Sequence, residues 1–153
     1  MLLSPWGATR TTAPAASAAL ALLLCLIPAA AAGQAGEARA RAVKAPLAVS
    51  SLLLDAAVRD GLVVAVGERG HILLSTDEGR SWRQADVPSR ALLTAAHMHD
   101  ARLGWAVGHD EVVLRTRDGG ETWEAVHSAP ENERPLLDVW SADARDGLAG
   151  GAY

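Results

Sequence analysis

The feature that most constrains this chain is an eight-residue pattern that occurs twice. It reads Ser75-Thr76-Asp77-Glu78-Gly79-Arg80-Ser81-Trp82 and, 41 residues on, Thr116-Arg117-Asp118-Gly119-Gly120-Glu121-Thr122-Trp123. Both copies are hydroxyl, any, Asp, any, Gly, any, hydroxyl, Trp. The flanks keep the same step: Ala65-Val66-Gly67 becomes Ala106-Val107-Gly108, and Ile72-Leu73 becomes Val113-Leu114. Self-similarity at this period means one supersecondary unit used more than once, each copy burying its apolar faces on its neighbours.

The residue types explain the local structure. An apolar run leads in, and Trp82 or Trp123 closes the pattern. Between them, Asp77 and Asp118 can accept hydrogen bonds from backbone N–H groups a few residues on, which pins a tight turn. Gly79 and Gly120 supply turn conformations without a Cβ clash. The hydroxyls of Ser75, Ser81, Thr116 and Thr122 can bond across the turn, and the indole covers it. Each copy therefore reads as a hairpin turn between antiparallel strands. The strands are expected at about 52–57, 62–66, 71–76 and 81–85, then at 93–98, 104–108, 112–116 and 122–126. A third unit starts at Leu136-Leu137-Asp138-Val139-Trp140. Ala101-Arg102 recurs as Ala144-Arg145 at a step of 43, the two extra residues lying in the Pro130–Pro135 loop. Leu148-Ala149-Gly150-Gly151 then matches the strand Trp105–Gly108.

The octapeptides resemble Asp-boxes, or BNR repeats, of sialidases and other β-propellers. With Leu103-Gly104-Trp105-Ala106-Val107-Gly108 beside the second copy, the chain resembles the photosystem II stability/assembly factor-like propeller family over roughly residues 47–153. The resemblance implies an all-β fold: an open arc of about two and a half four-stranded blades, preceded by a helical signal peptide. The divisions are 1–32 signal peptide, 33–50 linker, 51–91 and 92–134 two blades, and 135–153 an incomplete third. Closed propellers have about 4–8 blades, so the chain reads as an N-terminal fragment with the rest of the propeller missing. On this reading the first blade lacks a predecessor and the third lacks its outer strands, leaving apolar faces uncovered.

The N-terminal third carries other signals. Arg10, the apolar run Leu20–Ile27, Pro28 and the small residues Ala30-Ala31-Ala32 before Gly33 form the three regions of a cleavable leader. The apolar core is short for the ~20 residues of a spanning helix, so no stable membrane insertion is expected after cleavage. Location in a bacterial periplasm, or secretion, follows. The only cysteine, Cys25, lies inside the leader, which leaves no disulfide and no cysteine metal site beyond it. Setting aside residues 1–32, with one Arg and no acid, leaves 18 acidic against 13 basic residues. That balance argues against nucleic acid as a partner.

Few residues suggest chemistry. Asp77 and Asp118 could be sialidase-type acids, but their place in the turn pattern makes them architectural. A sialidase also needs an arginine cluster and a Tyr–Glu pair, and the only tyrosine is Tyr153. His97-Met98-His99 could offer two metal ligands, yet position 97 aligns with Trp140 and a third ligand is lacking. No catalytic residue, metal or cofactor is expected. A binding surface is the better reading. Loops after the second and fourth strand of each blade share one face, away from the octapeptide turns. They carry Arg69, Arg90, His109, Glu111 and Arg134. Mixed charge on loops over a rigid scaffold suits a protein or peptide partner. The resemblance implies a non-catalytic scaffold that assists assembly of an envelope or membrane complex; the alternative is a fragment of a sialidase-like glycoside hydrolase.

Overall fold

The computed structural model describes residues 41–152. The leader, and with it the expected helix and cleavage site, lies outside the described residues. Ten strands form three antiparallel sheets. The first blade is β1 (Leu53–Arg59), β2 (Leu62–Gly67), β3 (Ile72–Ser75) and β4 (Arg83–Gln84), paired in that order. The second repeats it with β5 (Leu93–Met98), β6 (Gly104–Gly108), β7 (Val113–Thr116) and β8 (Glu124–His127). Two strands of a third follow, β9 (Leu136–Ser141) and β10 (Gly147–Gly151). This is the all-β open arc of a propeller.

The sequence places the strands to within a few residues, with β4 shorter than expected because Ser81 and Trp82 belong to the turn. One detail recurs in all three sheets. The innermost strand bulges after Leu53, Leu93 and Leu136, whose partners are Gly67, Gly108 and Gly151. The bulge brings a carbonyl against each glycine. A Cβ at Gly67, Gly108 or Gly151 would lie 2.0, 2.1 or 2.3 Å from the backbone oxygen of Leu52, Leu92 or Pro135. The repeated glycine is thus set by close approach of the neighbouring backbone.

Blades stack face to face. One face of the first, with Val64, Val66, Ile72 and Leu74, meets Ala106, Leu114 and Trp123 of the second in one buried cluster. The opposite face of the second blade, with Ala95 and Val107, meets Val139 of the third. Burial of such side chains stabilises by about 1.5–3 kcal/mol each. Two polar contacts set the stagger: Ala96 N donates to Asp55 Oδ2 at 2.9 Å, and Thr94 Oγ1 donates to Leu136 O at 2.5 Å.

The sequence leaves the far face of the first blade bare. In the structure, residues 41–50, the end of the expected linker, fold back across it and, with Ser51 and Leu52, form a strap. Ala48 is buried there against Ala65 and Leu73, with Ala45, Leu53 and Trp82 around them. Alanine packing of this kind has no periodic signature, so nothing in the sequence marks it.

Candidate functional site

Antiparallel alternation gives the arc two ends. The octapeptide turns that follow β3 and β7 lie at one end. The connections after β2, β4, β6 and β8 lie at the other.

The turn end is chemically occupied. Asp77 Oδ1 accepts from Ser75 Oγ and from the Ser81 amide, both at 2.8 Å, and Oδ2 accepts from Ser81 Oγ at 2.6 Å. Asp118 repeats the set with Thr116 Oγ1 at 2.9 Å, the Thr122 amide at 3.0 Å and Thr122 Oγ1 at 2.6 Å. The leading hydroxyl takes the glycine amide at 2.8 Å in each copy, Gly79 on Ser75 and Gly120 on Thr116. Each indole, Trp82 and Trp123, donates to its glycine carbonyl at 2.9 Å. The Ser81 hydroxyl and amide hold the Asp77 carboxyl down to about 2. The Thr122 and Thr116 bonds outweigh partial burial and lower Asp118 as well. Both carboxylates stay ionised at neutral pH with their lone pairs spent on the turn, so neither is poised to deliver a proton.

The loop end is different. Its connections are fixed by main-chain bonds: Glu68 N to Leu52 O at 3.0 Å, His109 N to Leu92 O at 2.9 Å, Glu111 N to Arg134 O at 2.9 Å and Ala129 N to Asp110 O at 2.8 Å. The structure thereby brings Glu111 beside Arg134. It also brings the Arg69 turn beside Arg90, since Gly70 abuts Ser89 O and the Arg90 Cα. Arg69, Arg90, His109 and Arg134 are exposed, and Glu111 is half-buried. His127 Nε2 lies 3.5 Å from Glu111 Oε2, a neighbour that strand spacing alone does not reveal.

This end also holds unusual backbone. Four of the six non-glycine residues at positive φ lie here: Arg69 (57°), Asp110 (61°), Glu111 (49°) and Glu133 (51°). Glu111 is the repeat counterpart of Gly70, whose φ is 71°. The second blade therefore keeps a glutamate where the first uses the residue that adopts this conformation freely. Gly70 has no room for a Cβ.

His97 is half-buried, its pKa lowered by desolvation, with its ring tilted at 50° to Trp140 and 6.4 Å away. His99 contributes its carbonyl to Arg59. Among the described residues no three His, Asp, Glu or Cys side chains converge as a metal site. A cleft of about 230 Å³ opens between the second and third blades, walled by Trp105, Val113, Arg115, Trp140 and Leu148.

Comparison with known proteins follows the repeats. The family described as Photosynthesis system II assembly factor YCF48 matches residues 75–147. The photosystem II stability/assembly factor HCF136, chloroplastic, of Cyanidioschyzon merolae is 38% identical over 86 residues, 55% of this chain and 18% of that protein. The photosystem II assembly protein Ycf48 of Thermosynechococcus vestitus is 37% identical over 43 residues, 28% of this chain and 12% of the relative. The vacuolar protein sorting/targeting protein 10 of Laccaria bicolor is 33% identical over 58 residues, 37% of this chain and 4% of that protein. The chain thus spans less than a fifth of the length of these relatives. A solved structure described as "YCF48 bound to D1 peptide" superimposes with a TM-score of 0.57 at 18% identity, covering 70% of this chain and 36% of that one. At that identity the likeness carries the fold.

Proposed function

We propose, for a chain that resembles the photosystem II stability/assembly factors and shares their propeller fold, that it is a non-catalytic binding scaffold acting outside the cytoplasm. Its octapeptide turns are Asp-boxes with a structural role. Its partner is an extended peptide or protein segment, one that belongs to an envelope or membrane complex, held at the loop end by Arg69, Arg90, His109, Glu111 and Arg134. The observation that carries the reading is the contrast between the two ends. At the turn end the carboxylates are consumed by the fold. At the loop end backbone bonds fix the loops and leave Arg69, Arg90, His109 and Arg134 exposed. Glu111 retains a left-handed conformation that glycine adopts without strain, and such outliers concentrate where function requires them. A fold neighbour solved with a bound peptide supports the class of partner.

The test is site-specific photo-crosslinking in cells that export the full chain. A photoreactive side chain at Arg90 or Arg134 is expected to capture one discrete protein, and the same group at Glu78, on the turn end, is not. Equal capture from both ends, or none from the loop end, would sink the proposal.

A further inference from the structure

The Glu111 carboxylate is largely covered and still has lone pairs to give. The side chain is 21% exposed. Among the described residues the one group paired with it is His127 Nε2, 3.5 Å from Oε2, on a ring that is itself 54% exposed. The carboxylates of the octapeptide turns differ, since Asp77 and Asp118 each take an amide and two hydroxyls. Glu68, on the matching connection of the first blade, takes the amide of Leu52 at 3.3 Å. Covered polar groups are as a rule hydrogen-bonded, and Glu111 has capacity beyond what its own fold uses.

Main-chain bonds build a cleft beside it. Glu111 N donates to Arg134 O at 2.9 Å, which draws the loop after β8 against the start of β7. Ala152 N donates to Pro135 O at 3.1 Å, which holds the end of β10 against the same loop. A cleft of about 160 Å³ opens there, lined by Glu111, Arg134, Pro135 and Leu136 with the end of β10. Pro135 and Leu136 are half-buried and give it an apolar wall. Arg134 is exposed, and among the described residues no ion pair joins it to Glu111. The first blade has no equivalent, because Gly70 stands at the matching position without room for a Cβ.

We propose, resting on the binding role given above to the loop end, that Glu111 is the seat for one basic side chain, lysine or arginine, of the bound segment. The aliphatic stem of such a side chain lies on Pro135 and Leu136, and its ammonium or guanidinium donates to the Glu111 carboxylate. Basic side chains cover apolar surface with their stems in this way, and charge-assisted hydrogen bonds are the strong ones. The cleft is small beside the pockets of about 300–1,000 Å³ that take whole small molecules, and its size suits one side chain. Among the described residues no three ligating side chains converge, so a metal ion is not the match. Arg134 on the same cleft repels a second cation, so the segment offers its basic residue singly. An acidic or neutral side chain in its place leaves the Glu111 charge unmatched, and selectivity by sign follows.

The test has two arms, both on the full chain. In the first, NMR follows the amides of Glu111 and Ala129 as N-acetyl-arginine methylamide is added, with the uncharged citrulline compound of the same shape as control. Saturable shifts are expected with arginine and not with citrulline. Glu111→Gln is expected to weaken arginine binding about tenfold, and Glu131→Gln, on the neighbouring loop, to leave it unchanged. No binding to the parent, equal binding of citrulline, or an equal loss with Glu131→Gln overturns the proposal. Binding that appears only with Arg134→Gln means that Arg134 fills the seat, and overturns it too. In the second arm, photo-crosslinking with the reactive group in place of Arg90 is repeated with Glu111→Gln and Glu111→Asp. Capture is expected to fall with Gln and to be largely kept with Asp, and capture undiminished by Gln overturns the proposal. No capture from any loop-end position, with arginine still bound at Glu111, refutes the scaffold reading and upholds the seat.

Discussion

The two octapeptide tryptophans make the same indole hydrogen bond, yet the structure gives them unequal roles. Trp123 is 6% exposed, in the cluster where Leu62 and Leu74 of the first blade meet Leu114 of the second. Trp82 is half-buried and covered by the strap beside Ala48. Trp123→Ala removes a fully packed ring between two rigid sheets that cannot close on the gap, a loss of about 3–5 kcal/mol. Trp82→Ala opens a space that the strap can follow inwards, so its cost stays near the transfer value, about 1.5–3 kcal/mol. With a urea dependence of about 2 kcal/mol per molar, the first substitution lowers the unfolding midpoint by about 2 M and the second by about 1 M. The assay is urea unfolding of the full chain followed by far-ultraviolet circular dichroism, since each substitution removes a different one of the five tryptophans and changes the fluorescence signal itself. Equal shifts, or a larger one for Trp82→Ala, would mean that the blades do not stack in the order and orientation described.

Other consequences can be checked on the same chain. Gly108→Ala places a Cβ 2.1 Å from Leu92 O, where two backbones must separate; a loss of about 1–3 kcal/mol is expected, against about 0.5 kcal/mol or less for Gly150→Ala, which has open space. Asp77 has its pKa lowered to about 2, so its turn contributes stability above the ordinary carboxylate pKa that is lost as pH falls towards 2; an NMR titration of the Asp77 carboxyl should show that midpoint, and a midpoint near 4 would refute the hydrogen-bond account. Glu111→Gly relieves a left-handed glutamate and should raise stability by up to about 1 kcal/mol while weakening partner capture at the loop end; a stability loss in denaturant titration would show that the backbone there is not strained. The mature N-terminus of exported protein should fall at Gly33 or within a few residues, and N-terminal sequencing that finds Met1 in a membrane fraction would overturn the leader.

The fold was legible because the sequence states it twice. Strand positions follow from apolar runs bounded by Gly, Asp and Pro, and the turn follows from Asp, Gly and two hydroxyls at fixed spacing. What was not legible depends on neighbours distant in the chain. The glycines at 67, 108 and 151 repeat visibly, but the carbonyl that excludes a side chain comes from the bulge in another strand. The strap escapes notice because Ala45 and Ala48 bury little area and sit in an Ala-rich stretch without period. His71 reads as an ordinary residue of a turn-and-strand boundary until Ser51, 20 residues earlier, is brought to it. Of the loop-end residues, the sequence offers charge and position only; the strain at Glu111 and its proximity to His127 are three-dimensional facts.

The contrast between the ends has a physical cause that bears on the binding role proposed above. At the turn end, replacing Asp118 strips acceptors from the Thr122 amide and from the Thr116 hydroxyl, whose residue is buried; the turn cannot vary without loss of the blade. At the loop end, the bonds that fix His109, Glu111 and Ala129 join backbone atoms, which every residue short of proline supplies equally; Glu68 adds its carboxylate, which accepts from Leu52 N at 3.3 Å. Arg69, Arg90, His109 and Arg134 can therefore be exchanged with little effect on folding, and a change in their charge alters only what approaches. Substitutions at exposed positions of this kind usually stay within about 0.5 kcal/mol, so selection on binding can act there almost free of selection on stability. Glu111 differs in being a half-buried, left-handed residue whose counterpart in the first blade is glycine. A side chain kept in a left-handed conformation where the first blade uses glycine is the one that a partner, on the binding role proposed above, is expected to need.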